Sequence, residues 1–268
     1  MMHHRFYVAL RDESSCLNCG FCTHGVDCPS PSSCIGCGAC SLACPSGAIK
    51  LVPDDSPRKL VKIFINGREY LVPERITVER ALELVGFGLD RFPRKDEPCS
   101  PCSTGGCYAC EVKVSGEYKR ACFTKVEEGM NVELKRDKSY VPRRIVHGPS
   151  PHAVGGVGTP YWLKGDRYIE VAFWVAGCNL RCPQCQNWEV TYDSKSKPLT
   201  PFEAASLVTK ARRTYGVDRM AISGGEPTLN RPWLTSFFKE LKRLNSDEKA
   251  RLLSLIHISE PTRPRLIS

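Results

Sequence analysis

Hydrophobic and polar positions alternate most regularly in two stretches of this chain. LVKIFING (Leu60 to Gly67) alternates as a strand and ends in Asn66-Gly67, a pair that closes tight hairpins. REYLVP (Arg68 to Pro73) is then expected to return beside it. EVKVSGEYKRAC (Glu111 to Cys122) predicts a second hairpin, and NVEL (Asn131 to Leu134) a last strand. Between the hairpins the period changes to that of a helix. In TVERALELVG, Val78, Ala81, Leu82 and Val85 share one face, with Thr77 as N-cap and Gly86 as stop. Two hairpins with one helix between them predict a β-grasp arrangement. Farther on, Ile169 to Val175 reads as an apolar strand, Leu199 to Gly216 as a helix, and Asp218 to Gly224 as another strand. Thr200 caps that helix, Pro201 opens it and Gly216 stops it. Strand, helix, strand in this order predicts parallel βα units.

Composition narrows the class. The chain has 268 residues, 41% hydrophobic and 25% charged, which is enough apolar material for a core. No stretch approaches the roughly 18 apolar residues of a membrane span. MMHHRFYVALRDE has no apolar segment of the secretory kind, so a cytoplasmic, reducing setting is expected. The 16 cysteines then read as ligands, not disulfides. A formal charge of +9 ordinarily points to acidic partners. The basic residues form no long stripe, however, and Arg143-Arg144 and Arg212-Arg213 read as solvated faces. Neither nucleic acid nor membrane is expected as a partner. His3 and His4 read as disordered terminal residues, and Trp174 and Trp233 as packing residues.

The cysteines fall into three groups, separated by the turn-rich joints VPDDSPRK (Val52 to Lys59) and HGPSPHAVGGVGTP (His147 to Pro160). This predicts modules at 1–56, 57–146 and 147–250, with a tail at 251–268. The first is too small to bury a sizeable core alone and needs a metal or other staple.

In module one, Cys16, Cys19, Cys22 and Cys28 read C-x2-C-x2-C-x5-C-P, and Cys34, Cys37, Cys40 and Cys44 read C-x2-C-x2-C-x3-C-P. Three cysteines at this spacing let a short loop wrap three corners of a cubane, and the fourth ligand comes from farther along the chain. The pattern resembles the bacterial two-cluster ferredoxins, in which the fourth cysteine of each run serves the other cluster. The resemblance implies one 4Fe–4S cluster on Cys16, Cys19, Cys22 and Cys44, and another on Cys34, Cys37, Cys40 and Cys28. Pro29 and Pro45 follow the fourth cysteines as in that family, and SGAIKL fits its return strand. The x5 spacer departs from the family by two inserted residues. The competing assignment, two four-cysteine zinc sites, usually shows separated C-x2-C pairs.

Module two carries Cys102-x4-Cys107-x2-Cys110, the plant-type 2Fe–2S spacing, with Cys122 eleven residues on. The short last gap resembles the 2Fe–2S domains of molybdenum hydroxylases, where the last ligand sits on the returning hairpin. The implied ligands are Cys102, Cys107, Cys110 and Cys122, with Gly105 and Gly106 turning amides toward the sulfurs. Cys99 is left over; its replacing Cys102, or a zinc on four of the five, are the alternatives.

In module three, Cys178-x3-Cys182-x2-Cys185 directly follows the apolar strand. Three cysteines hold three irons of a 4Fe–4S cluster and leave one iron open to a substrate. The motif resembles the radical S-adenosylmethionine (SAM) superfamily, and GCNLRCPQCQNWE is similar to its glycyl-radical activating and AmmeMemoRadiSam-like branch. In that family the open iron binds SAM, which is cleaved reductively to a 5′-deoxyadenosyl radical. The segment Gly224-Gly225-Glu226-Pro227 matches the family's GGEP, which holds the SAM amino group. An aromatic residue usually precedes the third cysteine; here Gln184 does, so Trp188 or another residue is expected against the adenine.

The fold class that follows is multidomain α/β: a two-cluster ferredoxin domain, a β-grasp 2Fe–2S domain, and the first βα units of a partial (β/α)6 barrel. Later strands of that barrel have no counterpart, and SLIHISEPTRPRLIS resembles translated adapter sequence, so a C-terminally truncated chain is expected. The expected cofactors are three 4Fe–4S clusters, one 2Fe–2S cluster and SAM. The expected partners are a low-potential electron donor and a small-molecule or protein substrate. The expected function is a radical-SAM oxidoreductase or activase with its own electron relay, and the alternative is an electron-transfer protein without SAM chemistry. Fifteen thiolates and four oxidised cores of about +2 each would bring the charge down to roughly +2.

Overall fold

The computed structural model describes residues 6–92, 97–152 and 168–246, and the backbone of 251–254. Three sheets organise them. The first is a two-stranded antiparallel ribbon of β1 (Tyr7–Arg11) and β2 (Ile49–Pro53), with Ala9 opposite Leu51. Two short helices, α1 (Phe21–His24) and α2 (Ala39–Ala43), follow Gly20 and Gly38. Both glycines are left-handed, at φ 71° and 78°, a conformation that glycine adopts without a Cβ penalty. The repeated Cys-Gly-x-Cys pattern thus turns the chain the same way in both cysteine runs.

The second sheet has the order β4-β3-β7-β5-β6. Hairpin β3 (Leu60–Ile65) and β4 (Arg68–Pro73) turns at Asn66-Gly67, both at positive φ, as the sequence predicts. Hairpin β5 (Glu111–Val114) and β6 (Glu117–Arg120) turns at Ser115-Gly116 in the same way. β7 (Met130–Glu133) lies parallel to β3 between the hairpins. Helix α3 (Val78–Leu84) starts where Thr77 Oγ1 accepts the Arg80 amide at 3.1 Å and buries Val78, Ala81 and Leu82. Its core is continuous with Phe21, Val26, Ala39 and Ala43 of module one. The small first module therefore borrows a core.

The third sheet has the order β10-β8-β9-β11-β12. β9 (Glu170–Val175), β11 (Arg219–Gly224) and β12 (Arg251–Ser254) are parallel, and β8 (Arg144–His152) runs antiparallel to β9. β10 (Pro198–Leu199) pairs with β8. Between β9 and β11 come α4 (Trp188–Tyr192) and α5 (Pro201–Tyr215); α6 (Arg231–Leu244) follows β11. One face of the sheet, through Val171, Phe173, Val175, Met220 and Ile222, packs on Ala204, Ala205 and Val208 of α5 and on Trp233 and Phe237 of α6.

Two expectations change here. The joint beginning at His147 is strand through His152, because its backbone pairs with β9 despite the Gly-Pro content; 153–160 lie outside the described residues. The segment after Lys249, where no further barrel strand is expected, places Arg251–Ser254 parallel to β11. The rest of the tail, 255–268, and His3 and His4 lie outside the described residues. Among the described residues no helix is long and apolar enough to cross a membrane.

Candidate metal centres

Module one brings its cysteines together in the interleaved pattern. Cys16, Cys19, Cys22 and Cys44 line one cavity of about 160 Å³, closed by Arg11, Pro45 and Ile49. Arg11 Nη2 donates to Cys22 Sγ at 3.2 Å. Cys37 lies close enough to Cys40, Cys28 and Cys34 to feel their charges, so Cys28 joins the second run. Burial pushes the Cys37 thiol up to about 12 and the Cys40 thiol to about 11. A bound metal reverses that preference, since the ligand is the thiolate. The Ala9 and Gly36 amides donate to Cys34 Sγ at 3.3 and 3.4 Å.

In module two, Cys102, Cys107, Cys110 and Cys122 are all buried. Cys110 Sγ donates to Cys122 Sγ at 3.2 Å, and Cys102 and Cys107 are hydrogen-bonded to each other. The Thr104 and Ala109 amides donate to Cys102 Sγ and Cys107 Sγ, both at 3.5 Å. Such amides stabilise negative charge on cluster sulfurs. The two glycines do other work. Gly105 offers its carbonyl to Arg120 at 3.2 Å, and a Cβ on Gly106 would strike the Asp193 carbonyl. Cys99 is buried with its sulfur 3.9 Å from the Leu229 carbonyl, which it donates to.

In module three, Cys178 is buried at the end of β9, Cys185 is half-buried and Cys182 is exposed. Burial raises the Cys178 thiol, with Glu226, Arg181 and Cys185 nearby. The GGEP segment lies directly beside this loop. The Gly225 amide donates to the Val175 carbonyl at 2.7 Å, and the Glu226 amide to the Gly177 carbonyl at 3.0 Å. Gly224 sits at φ 95° with its Cα against Val175. Glu226 Oε1 accepts from the Thr228 amide and hydroxyl at 2.9 and 2.6 Å.

The residue that joins these parts escapes the sequence reading. Arg144, expected on a solvated face, is fully buried and donates to the carbonyls of Ala176, Gly177, Glu226 and Pro227 at 2.6 to 3.2 Å. Its neighbour Arg143 pairs with the buried carboxylate of Glu111. Arg212 is also buried, donating to Asn245 Oδ1 at 3.2 Å. Adjacent basic residues give no periodicity by which burial shows. Trp188, considered for adenine, packs edge-on against Phe21 of module one at 4.7 Å. Trp174 is half-buried against His152, and Trp233 is fully buried, stacked on Phe237.

Among the described residues no three His, Cys, Asp or Glu side chains converge on a single metal ion. A 4Fe–4S cluster takes each cysteine on a separate corner iron and a 2Fe–2S cluster takes two on each iron, so wider groupings of thiols around a cavity with amides aimed at sulfur fit them. Comparison with known families agrees in kind. A 4Fe-4S binding domain matches residues 29–50, a 2Fe-2S iron-sulfur cluster binding domain matches 58–137, and a 4Fe-4S single cluster domain matches 164–259.

The chain carries iron–sulfur domains. An uncharacterized iron–sulfur protein of Methanocaldococcus jannaschii is 39% identical over 114 residues, 41% of this chain and 22% of that protein. Pyruvate formate-lyase-activating enzymes of Staphylococcus epidermidis and Staphylococcus aureus are 34% and 33% identical over 94 residues, 34% of this chain and 36% of each relative. The chain therefore spans well under half the length of these relatives, and its homology to a radical-SAM activating enzyme is distant.

Proposed function

We propose that this iron–sulfur chain is the electron-relay and SAM-binding part of a cytoplasmic radical-SAM oxidoreductase or activase. The observation that carries the reading is the contact between the Cys178–Cys185 loop and GGEP. The two meet at the carboxyl ends of adjacent parallel strands β9 and β11, where open α/β sheets and barrels place their ligand sites. The order β9, α5, β11, α6, β12 is also how a partial (β/α)6 barrel begins.

In this reading Cys178, Cys182 and Cys185 hold a 4Fe–4S cluster, which when bound supplies an open iron for SAM and the electron that cleaves its sulfonium. Gly224 and Gly225 keep the strand end free of side chains, and Glu226 and the backbone of its turn orient the SAM ammonium. Arg144 fixes the Gly177 and Glu226 carbonyls, which sets the spacing of the two loops. Cys16, Cys19, Cys22 and Cys44, then Cys28, Cys34, Cys37 and Cys40, hold two further 4Fe–4S clusters; Cys102, Cys107, Cys110 and Cys122 hold a 2Fe–2S cluster. A low-potential donor supplies them, and the substrate is a small molecule or a protein.

One observation favours the second reading, an electron-transfer protein without SAM chemistry: the Glu226 and Pro227 carbonyls are already bonded to Arg144. Anaerobic reconstitution with iron and sulfide, then dithionite and SAM, separates the two. The first reading expects 5′-deoxyadenosine, abolished by Cys182→Ser. Intact clusters with no 5′-deoxyadenosine, in this chain and in the full-length protein, establish the second.

A further inference from the structure

Resting on the reading of Cys178, Cys182 and Cys185 as cluster ligands, the order of the relay is also written in the contacts. The chain around Cys107 lies flat against Gly177, the residue before Cys178. A Cβ on Gly177 would sit 2.5 Å from Cys107 Cβ and 2.7 Å from its amide nitrogen. Arg181, inside the third cysteine loop, donates to the Cys178 carbonyl at 2.9 Å and to the Cys102 carbonyl at 2.8 Å. Asn230, after GGEP, donates from Nδ2 to the Cys107 carbonyl at 2.8 Å while its Oδ1 accepts the Trp233 amide and starts α6. The Ile145 amide donates to the Gly106 carbonyl, and the Ala176 amide to the Ile145 carbonyl.

Module one reaches module three differently. Its contacts run from Phe21 to Trp188, from the Asp27 amide to Ser194 Oγ, and from Lys195 Nζ to the Thr23 carbonyl. On the module-three side these residues all lie beyond Cys185. Among the described residues only module two places a cysteine of its own against the residue that begins the Cys178 loop, with a side chain joining the carbonyls of Cys102 and Cys178.

We propose that the Cys102–Cys110 loop is the port through which the Cys178–Cys185 loop receives its electron, and that Arg181 and Asn230 are the positioning residues that hold the two loops together. Module one lies upstream. In each transfer the centre of module two loses one electron, the centre of module three gains one, and a low-potential one-electron donor restores the first.

The test is electron paramagnetic resonance of the whole reconstituted chain reduced with dithionite. The module-two signal is expected to be broadened by a neighbouring paramagnet. Cys182→Ser with Cys185→Ser, which removes about four iron per chain, is expected to narrow the signal and keep it, leaving only broadening from module one, whose Cys37 shares a cavity with Cys122. Cys37→Ser with Cys40→Ser is expected to leave it broadened. A module-two signal equally sharp in the parent and in the Cys182/Cys185 variant overturns the port. Broadening that survives that variant and vanishes in the Cys37/Cys40 variant overturns it too. Iron analysis showing no cluster at Cys178–Cys185 overturns this inference and the proposed function together. A cluster that forms without 5′-deoxyadenosine production removes the SAM chemistry alone, and the line widths still decide the port.

Discussion

Arg144 spends its donors on carbonyls of two loops, the one that leads into Cys178 and the Gly224–Pro227 turn. Arg144→Met leaves those carbonyls unpaired in the interior and is expected to cost at least about 3 kcal/mol. Arg144→Lys should recover only part, because an ammonium cannot fork across several acceptors. Denaturant unfolding of the reconstituted protein checks this; an unchanged midpoint in Arg144→Met contradicts it. Asp193 is a second such residue. Burial alone would raise its carboxyl, but bonds from His147 at 2.7 Å, Ser196 and the Lys195 amide hold it below the usual range. Because the folded state binds this proton less readily, the stabilisation is present above the unfolded value of about 3.9 and is lost as pH falls through the lower folded value. Arg120 faces the same turn, donating to the Ser194 carbonyl and pairing with Asp27. Asp193→Asn is expected to destabilise by about 1–3 kcal/mol near neutral pH. Urea unfolding should show that gap closing in acid; a gap that widens there contradicts the assignment.

At the scale of the element, local signals in the sequence were reliable guides, and strands defined only by a distant partner were not. Asn66-Gly67, Thr77 and Gly216 act within a few residues, and each turn or cap forms where the pattern predicts. Thr200 forms a full capping box: its hydroxyl accepts the Glu203 amide, and Glu203 Oε2 accepts the Thr200 amide at 2.8 Å. Thr200→Ala is expected to cost about 1 kcal/mol, read from thermal unfolding, and Thr200→Ser should restore most of it. β8 is different. Gly148, Pro149 and Pro151 give it the composition of a turn, and only pairing with β9, seen as Ser150 opposite Ala172, makes it strand. β1 is likewise defined by its distant partner β2. Cysteine spacing is local in the same sense as a cap, so it was legible which thiols gather. The contact of Gly177 with Cys107 spans modules and left no trace in either motif.

Across the whole molecule, module one is the part most dependent on metal. Its sheet has two strands, a size that is marginal in water, and its buried side chains join the core of module two. Removing iron with a chelator under anaerobic conditions is expected to strip hydrogen-exchange protection from β1, β2 and both cysteine runs. β9, β11 and α5, packed around Phe173, Val208 and Phe237, are expected to keep theirs. Equal loss in both regions contradicts this. The three groups of cysteines were legible in the sequence, whereas the docking through Arg144, Arg181 and Arg120 depends on side chains whose sequence context looks like ordinary surface. In the proposed function Cys178, Cys182 and Cys185 present an open cluster to SAM beside GGEP. The most direct measurement is the resonance signal that Cys182→Ser removes, recorded in the reduced chain before and after SAM is added. This signal is expected to change shape with SAM; a signal that is present and unaltered by saturating SAM contradicts the proposed function.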